Sequence, residues 1–273
     1  MDVNRRIFIG GVAVAAGLAA SADAKPRGNG GKSEEKALKA LADYADRVRA
    51  DWGIPGMTVA VVTRDGFEGF VTSGLADVDK KTPVNPDHLF QIGSISKMFT
   101  ALAAYSLIDE GALTPDVKLH DALKGVRVRG GEAITLQHLL NHTSGLPADS
   151  TIFPEGGLWV GYAPGSSWSY SNSGYDLAGK IATAADGALY EDLVKSRVLD
   201  KIGMTASRAG MRVADRQRYA QGYEQALTDR LAPRPSRMTA TPWVDSDSPA
   251  GCIAATPADM AKFMRFLLDL AAG

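Results

Sequence analysis

The sequence predicts an α+β domain with a helical subdomain beside an antiparallel sheet, and three observations support it. Leu38, Leu41, Tyr44, Ala45 and Val48 recur at helical spacing, and Gly53-Ile54-Pro55-Gly56 then breaks the run. Residues 57–62 and 67–71 have strand character and flank Arg64-Asp65-Gly66, which reads as a hairpin turn. From Ser94 to about Ala240 the pattern is mainly helical with long loops, with helices over residues 135–141 and 190–199. Helix, strand, turn, strand and then a run of helices is the order of a sheet with helices gathered to one side.

The first residues have a separate logic. Asn4-Arg5-Arg6-Ile7-Phe8-Ile9 precedes an apolar, small-residue run over 10–20, and Ala22-Asp23-Ala24 supplies a small-x-small cleavage pattern. Residues 1–24 therefore read as a signal peptide of twin-arginine-like form, with a general secretory signal as the other fit. The apolar run is too short for a membrane span. No cysteine adjoins the cleavage pattern, which argues against a lipid anchor, and the expected destination is the periplasm or the medium. Residues 25–32 are rich in glycine and lack apolar side chains, as a flexible linker would, so the folded domain is expected over 33–273.

Composition bounds the function. The chain has 273 residues, 45% hydrophobic and 22% charged, with a formal net charge of −1. That is an ordinary globular balance, without the basic excess a nucleic-acid surface needs. The four histidines, His88, His120, His138 and His142, lack metal-site spacing: His138 and His142 are four apart on a short predicted helix, but no third ligand is evident. There is no Gly-x-Ser-x-Gly elbow and no phosphate-binding glycine loop, so no cofactor is implied. The single cysteine, Cys252, has no internal disulfide partner and reads as a small buried residue.

Chemistry concentrates at Ser94-Ile95-Ser96-Lys97, where an extended segment over 90–93 gives way to the helical run over 98–105. One turn of helix places the Ser94 hydroxyl and the Lys97 amine on one face, and the helix N-terminus offers free N–H groups to an oxygen that becomes negative during acyl transfer. Tyr170-Ser171-Asn172 lies in a turn-rich stretch ahead of an amphipathic run over 176–185, so its side chains can project from a loop into a cleft. A phenol relays protons, and an amide holds a carbonyl.

At this point the chain resembles the penicillin-recognising serine hydrolases, the family of class C β-lactamases, D,D-peptidases and related esterases. The resemblance rests on segments in the expected order: Phe90 to Lys97 with its Ser-x-x-Lys, Leu139-Leu140-Asn141-His142-Thr143-Ser144-Gly145-Leu146-Pro147, Trp168 to Tyr175 with its Tyr-x-Asn, and Ser248-Pro249-Ala250-Gly251 leading into residues 258–270. It implies a β-lactamase/transpeptidase-like fold. It also implies Ser94 as the acylated nucleophile, Lys97 as its activating partner, Tyr170 as general acid/base and Asn172 as a substrate amide contact. The substrate implied is an amide or ester: a β-lactam, a D-Ala-D-Ala peptide or a small ester.

Relatives carry a third motif, Lys-Thr-Gly or His-x-Gly, on a strand beside the nucleophile, and no such tripeptide follows Asn172 here. That strand supplies one oxyanion donor, whose loss typically costs about a hundred- to a thousandfold in rate. The last predicted helix opens with Thr256 as N-cap and Pro257 in its first turn, and presents Met260, Phe263, Met264, Phe266, Leu267, Leu268 and Leu270 as a broad apolar face. By the resemblance, further strands and a helix should follow it, so the strands over 57–62 and 67–71 are expected to lack sheet partners. A truncated product, a fragment and a half completed by a partner chain all fit that expectation. The leading function is an exported serine hydrolase; the alternatives are a catalytically impaired remnant and a module acylated without turnover.

Overall fold

The structure is a computed structural model describing residues 23–27, 31–150, 157–225 and 238–271. In chain order its elements are β1 (Asp23–Arg27), α1 (Lys32–Trp52), β2 (Gly56–Val62), β3 (Glu68–Asp77), β4 (Thr82–Pro83), β5 (Phe90–Gln91), α2 (Ser96–Asp109), α3 (Leu119–Ala122), β6 (Val128–Arg129), α4 (Leu136–Leu140), β7 (Leu158–Trp159), α5 (Asn172–Asp186), α6 (Tyr190–Val194), α7 (Asp200–Ile202), β8 (Tyr223–Gln225), β9 (Met238–Ala240), β10 (Ala254–Ala255) and α8 (Pro257–Leu270). The chain divides into two compact units, one of residues 1–90, 215–243 and 256–273, the other of residues 91–214 and 244–255.

The first unit is the sheet. The expected hairpin forms: Thr63 and Phe67 pair across the turn, and Gly66 takes a φ of 101° that only a residue without Cβ adopts freely. β2 and β3 run antiparallel from Gly56↔Gly74 to Val62↔Glu68. β2 keeps an open outer edge among the described residues, and the pairing that the sequence reading did not foresee is on the far side of β3. β3 is central, pairing with β1 from Asp23↔Thr72 to Arg27↔Glu68 on its other side and with β4 near its end. Among the described residues β2 pairs only with β3, so the sheet ends there. β1 takes in residues 23–24 of the expected leader and 25–27 of the expected linker, lying at the edge of the sheet among the described residues, where the missing N–H of Pro26 is tolerated. Residues 1–22 of the expected leader and 28–30 of the linker lie outside the described residues.

α1 packs on this sheet through Leu38, Ala42 and Ala45, which bury against Val71, with Leu41, Met57, Val59 and Phe67 around them. Full burial of a Leu or Val side chain contributes about 1.5–3 kcal/mol, so this small cluster is what fastens the helix. Tyr44, expected in the apolar stripe, is half exposed, with the Arg47 guanidinium 5.9 Å from its ring centroid. Gly53 ends α1 in the left-handed conformation. α8 begins as expected, with Thr256 Oγ1 accepting from Asp259 N–H and Pro257 at its start, and lies against β2. Only Phe263 of its predicted apolar face is fully buried.

The second unit is helical. α2 packs against α5, as does α4, and Phe99 and Leu107 of α2 and Leu177 and Ile181 of α5 are fully buried. α4 is capped by a reciprocal pair: the Thr135 side chain accepts from His138 N–H, and His138 Nδ1 accepts from Thr135 N–H. The expected helix over 190–199 is α6 followed by a wider π turn over Lys195–Leu199, and Lys201-Ile202-Gly203 is a helix end with Gly203 left-handed.

Gly74 and Gly111 share nearly the same backbone, at φ 78° and 76°, but differ in surroundings. A Cβ on Gly74 would lie 2.2 Å from the Pro55 carbonyl oxygen, whereas one on Gly111 would meet nothing within 4 Å. Gly111→Ala should cost about 1–2 kcal/mol in urea unfolding, the left-handed penalty alone. Gly74→Ala should cost about 2 kcal/mol more, through displacement of the β2 entry; equal midpoints for the two variants would contradict this account.

Candidate active site

The nucleophile candidate stands at a bend built by main-chain pairing. Ile92 N–H donates to Ile253 O at 2.9 Å, and Gly93 then turns at a φ of 53°. Ser94 is exposed within a 3-10 turn over Gly93–Ile95, and α2 starts only at Ser96. The sequence expectation of Ser94 on the α-helix itself is thus corrected by one turn type. The tighter 3-10 winding nearly eclipses residues three apart, so Ser94 and Lys97 still share a face. Buried Ser96 pins the turn from below, its Oγ accepting Ile253 N–H at 3.1 Å.

Lys97 is 4% exposed, and its ammonium is fully used. Nζ donates to Asn172 Oδ1 at 2.6 Å, to the Ala250 carbonyl at 2.7 Å and to Ser94 Oγ at 3.3 Å. An ammonium has three protons, and here each has an acceptor. Its charge also lies 4.8 Å from the Tyr170 ring centroid and 5.5 Å from that of Tyr175. The Tyr170 hydroxyl donates to Ser94 Oγ at 2.6 Å. Ser94, Lys97, Tyr170 and Asn172, proposed from sequence, therefore meet in one hydrogen-bonded cluster.

Asn172 opens α5 behind Ser171, whose Oγ accepts Gly174 N–H at 2.9 Å as an N-cap. Its amide is held at both ends: the oxygen by Lys97, and the nitrogen by donation to Asp149 Oδ1 at 2.7 Å.

Sequence reasoning missed the groups that hold these four. Asp176, one helical turn beyond Asn172, accepts from Ser248 Oγ at 2.8 Å and from Ala250 N–H at 3.3 Å. That holds the Pro249–Ala250 peptide, directly ahead of the Ala250 carbonyl that Lys97 reaches. Its spacing of four from Asn172, on one helix face, is a signal the sequence does contain. Gly179 admits the same segment, since a Cβ there would lie 2.2 Å from Pro249 Cγ. Thr100 Oγ1 completes the seat with bonds of 2.7 Å to the Pro249 carbonyl and to Tyr190 Oη. Burial pushes the Tyr190 phenol well above its ordinary range, so it remains a neutral partner.

His142 lies under Tyr170, with ring centroids 4.4 Å apart. Burial first, then the Lys97 charge, pushes its imidazole below the ordinary histidine range, toward the neutral form. Cys252 is buried, its Sγ against the Ala209 carbonyl at 3.0 Å, and desolvation pushes the thiol up to about 12, which suits packing. Among the described residues no group of three or more His, Cys, Asp or Glu is placed to hold a metal, and no helix is long and apolar enough to cross a membrane.

This arrangement gives a hydroxyl with a phenol and a buried cation on it, which is the equipment of acyl transfer. Comparison with known proteins agrees at the level of ancestry. The chain is 30% identical over 243 residues to penicillin-binding protein 4 of Amycolatopsis lactamdurans, covering 82% of this chain and 62% of that protein. It is 31% identical over 193 residues to a beta-lactamase of Escherichia coli strain K12, covering 66% of this chain and 50% of that one. The chain thus spans half to three fifths of the length of these relatives. The beta-lactamase/D-alanine carboxypeptidase structure from Pseudomonas syringae superposes with a TM-score of 0.68 at 22% identity, covering 85% of this chain and 64% of that one, which establishes the β-lactamase/transpeptidase-like fold. The beta-lactamase family model matches residues 41–273, most of the chain and all of the cluster around Ser94, and the chain belongs to that family.

Proposed function

We propose that the chain is an exported serine hydrolase that forms an acyl-enzyme at Ser94 with an amide or ester substrate. The observation that carries this reading is the hydrogen bond of 2.6 Å between Tyr170 Oη and Ser94 Oγ beside the buried Lys97 ammonium. In acylation, Ser94 Oγ bonds to the substrate carbonyl carbon as its proton passes to Tyr170 Oη and the phenol's own proton passes to the leaving nitrogen or oxygen, so the scissile bond breaks with the phenol restored. The Lys97 ammonium lies against the Tyr170 ring and donates to Ser94 Oγ, so negative charge that develops on the reacting oxygens has a cation beside it. Water activated by Tyr170 reverses the sequence and frees Ser94. A β-lactam, a D-Ala-D-Ala peptide and a small ester each offer the carbonyl this chemistry needs, and the names of the relatives favour the first two.

Intact mass after incubation with a fluorescent penicillin or an activated ester should show one adduct per chain. Ser94→Ala should take none while melting as the parent does, because the Ser94 side chain is exposed; an adduct surviving in that variant would remove Ser94 from the reaction. Tyr170→Phe should slow adduct formation by about a hundredfold or more, the usual share of a general acid–base group, and an unchanged rate would exclude the phenol as the proton carrier. An adduct that forms at full rate and is never released would favour the acylated module over the hydrolase.

Export rests on Arg5-Arg6, the apolar run and Ala22-Asp23-Ala24. Protein recovered from the periplasm should begin near Lys25 by N-terminal mass; an uncleaved chain retained in the cytoplasm would count against export.

A further inference from the structure

We propose that His142 is a positioning residue for Tyr170, gripping the main chain on both sides of it and so setting the phenol on Ser94. This deepens the serine hydrolase reading and rests on it. The His142 carbonyl accepts the N–H of Ser169 at 2.9 Å, and its ring Nδ1 accepts the N–H of Ser171 at 3.0 Å. Between those two anchors the Tyr170 ring lies over the imidazole, tilted by 31°. One residue thus holds the Trp168–Ser169 peptide, the Tyr170–Ser171 peptide and the ring between them.

To present its carbonyl and its ring in these directions, His142 adopts a φ of 60°, in the left-handed region that a non-glycine residue enters only at a cost. The strain falls on the residue that holds the phenol. With Nδ1 accepting, the neutral ring carries its proton on Nε2. The titratable groups facing the ring are Lys97 of α2, Tyr170 on the loop ahead of α5, and Tyr175 of α5, whose ring centroid is 5.0 Å away. Protonation would place an N–H against the Ser171 N–H and a second positive charge near Lys97. The grip should therefore loosen as pH falls below the ordinary histidine range, consistent with the lowered pKa.

Two substitutions separate the grip from mere filling of space. His142→Phe keeps a ring but has no acceptor. His142→Asn loses the ring but carries Oδ1 at the same bond separation as Nδ1, and Asn tolerates the left-handed conformation. On the full chain, amide hydrogen exchange by NMR reads the grip without any substrate, and the rate of fluorescent penicillin labelling across pH 5 to 8 reads its consequence. The Ser171 amide should exchange about tenfold or more faster in His142→Phe and near the parental rate in His142→Asn, as loss of one hydrogen bond dictates. Labelling should fall by a similar factor in His142→Phe, with His142→Asn restoring most of the rate and lacking the parent's acid-side decline. Parental exchange at Ser171 and a parental labelling profile in His142→Phe would overturn the proposal, as would a His142→Asn chain as exchange-prone and slow as His142→Phe. A parent that takes no label defeats the serine hydrolase reading by itself, and exchange at Ser171 then decides the role of His142.

Discussion

The burial of one ammonium organises the helical unit. Lys97 is 4% exposed, and a charge taken out of water is tolerated only when its protons are matched by acceptors. The acceptors come from three separated places: the turn ahead of α2, the first residue of α5 and the peptide at Ala250. The chain cannot bury Lys97 without bringing those segments together, and bringing them together assembles the candidate site. Loss of either short bond, to Asn172 or to Ala250, would leave part of a buried charge unmatched at a typical cost of about 1–3 kcal/mol or more, whereas water can take the place of the exposed Ser94 hydroxyl.

Around that centre, a second set of groups keeps the acceptors in place. Asp176 holds the N–H end of the Pro249–Ala250 peptide, Gly179 lets Pro249 close on α5, and Thr100, itself bonded to Tyr190, holds the carbonyl end. None of these needs to touch a substrate. Their common effect is to leave Ser94 exposed on a bend whose other members are held, the rigid arrangement on which a pre-organised nucleophile relies. The Asn172 amide shows the same economy of motion, held by Lys97 at its oxygen and by Asp149 at its nitrogen.

Local signals in the sequence translated well where a single turn or cap decides the outcome. Arg64-Asp65-Gly66 is the hairpin turn, Thr256-Pro257 opens α8, and Gly203 closes α7. Periodicity served less well at α1, where Tyr44 fits the apolar spacing but its hydroxyl end and the nearby Arg47 favour the surface. Sheet pairing was the larger miss. β1 joins β3 through main-chain groups over residues whose side chains suggested a solvated linker, and pairing of that kind leaves no mark in composition. His142 enters the sequence reading as a candidate metal ligand and within the 139–147 segment of the family resemblance, and neither says what its carbonyl and Nδ1 hold.

The sequence by itself determined the reactive groups and their family: a serine and a lysine three apart at a helix start, and a tyrosine and an asparagine two apart ahead of another helix. Spacing within a turn is set by local backbone geometry, so such pairs can be read along the chain. Only the tertiary structure decided that these pairs meet, that an alanine carbonyl 153 residues from Lys97 accepts a hydrogen bond from it, and that a carboxylate 72 residues from Ser248 holds the peptide just ahead of that carbonyl. A peptide carbonyl has the same chemistry at every residue, and what selects this one is the requirement that a buried cation and its three protons be satisfied at a single point in space.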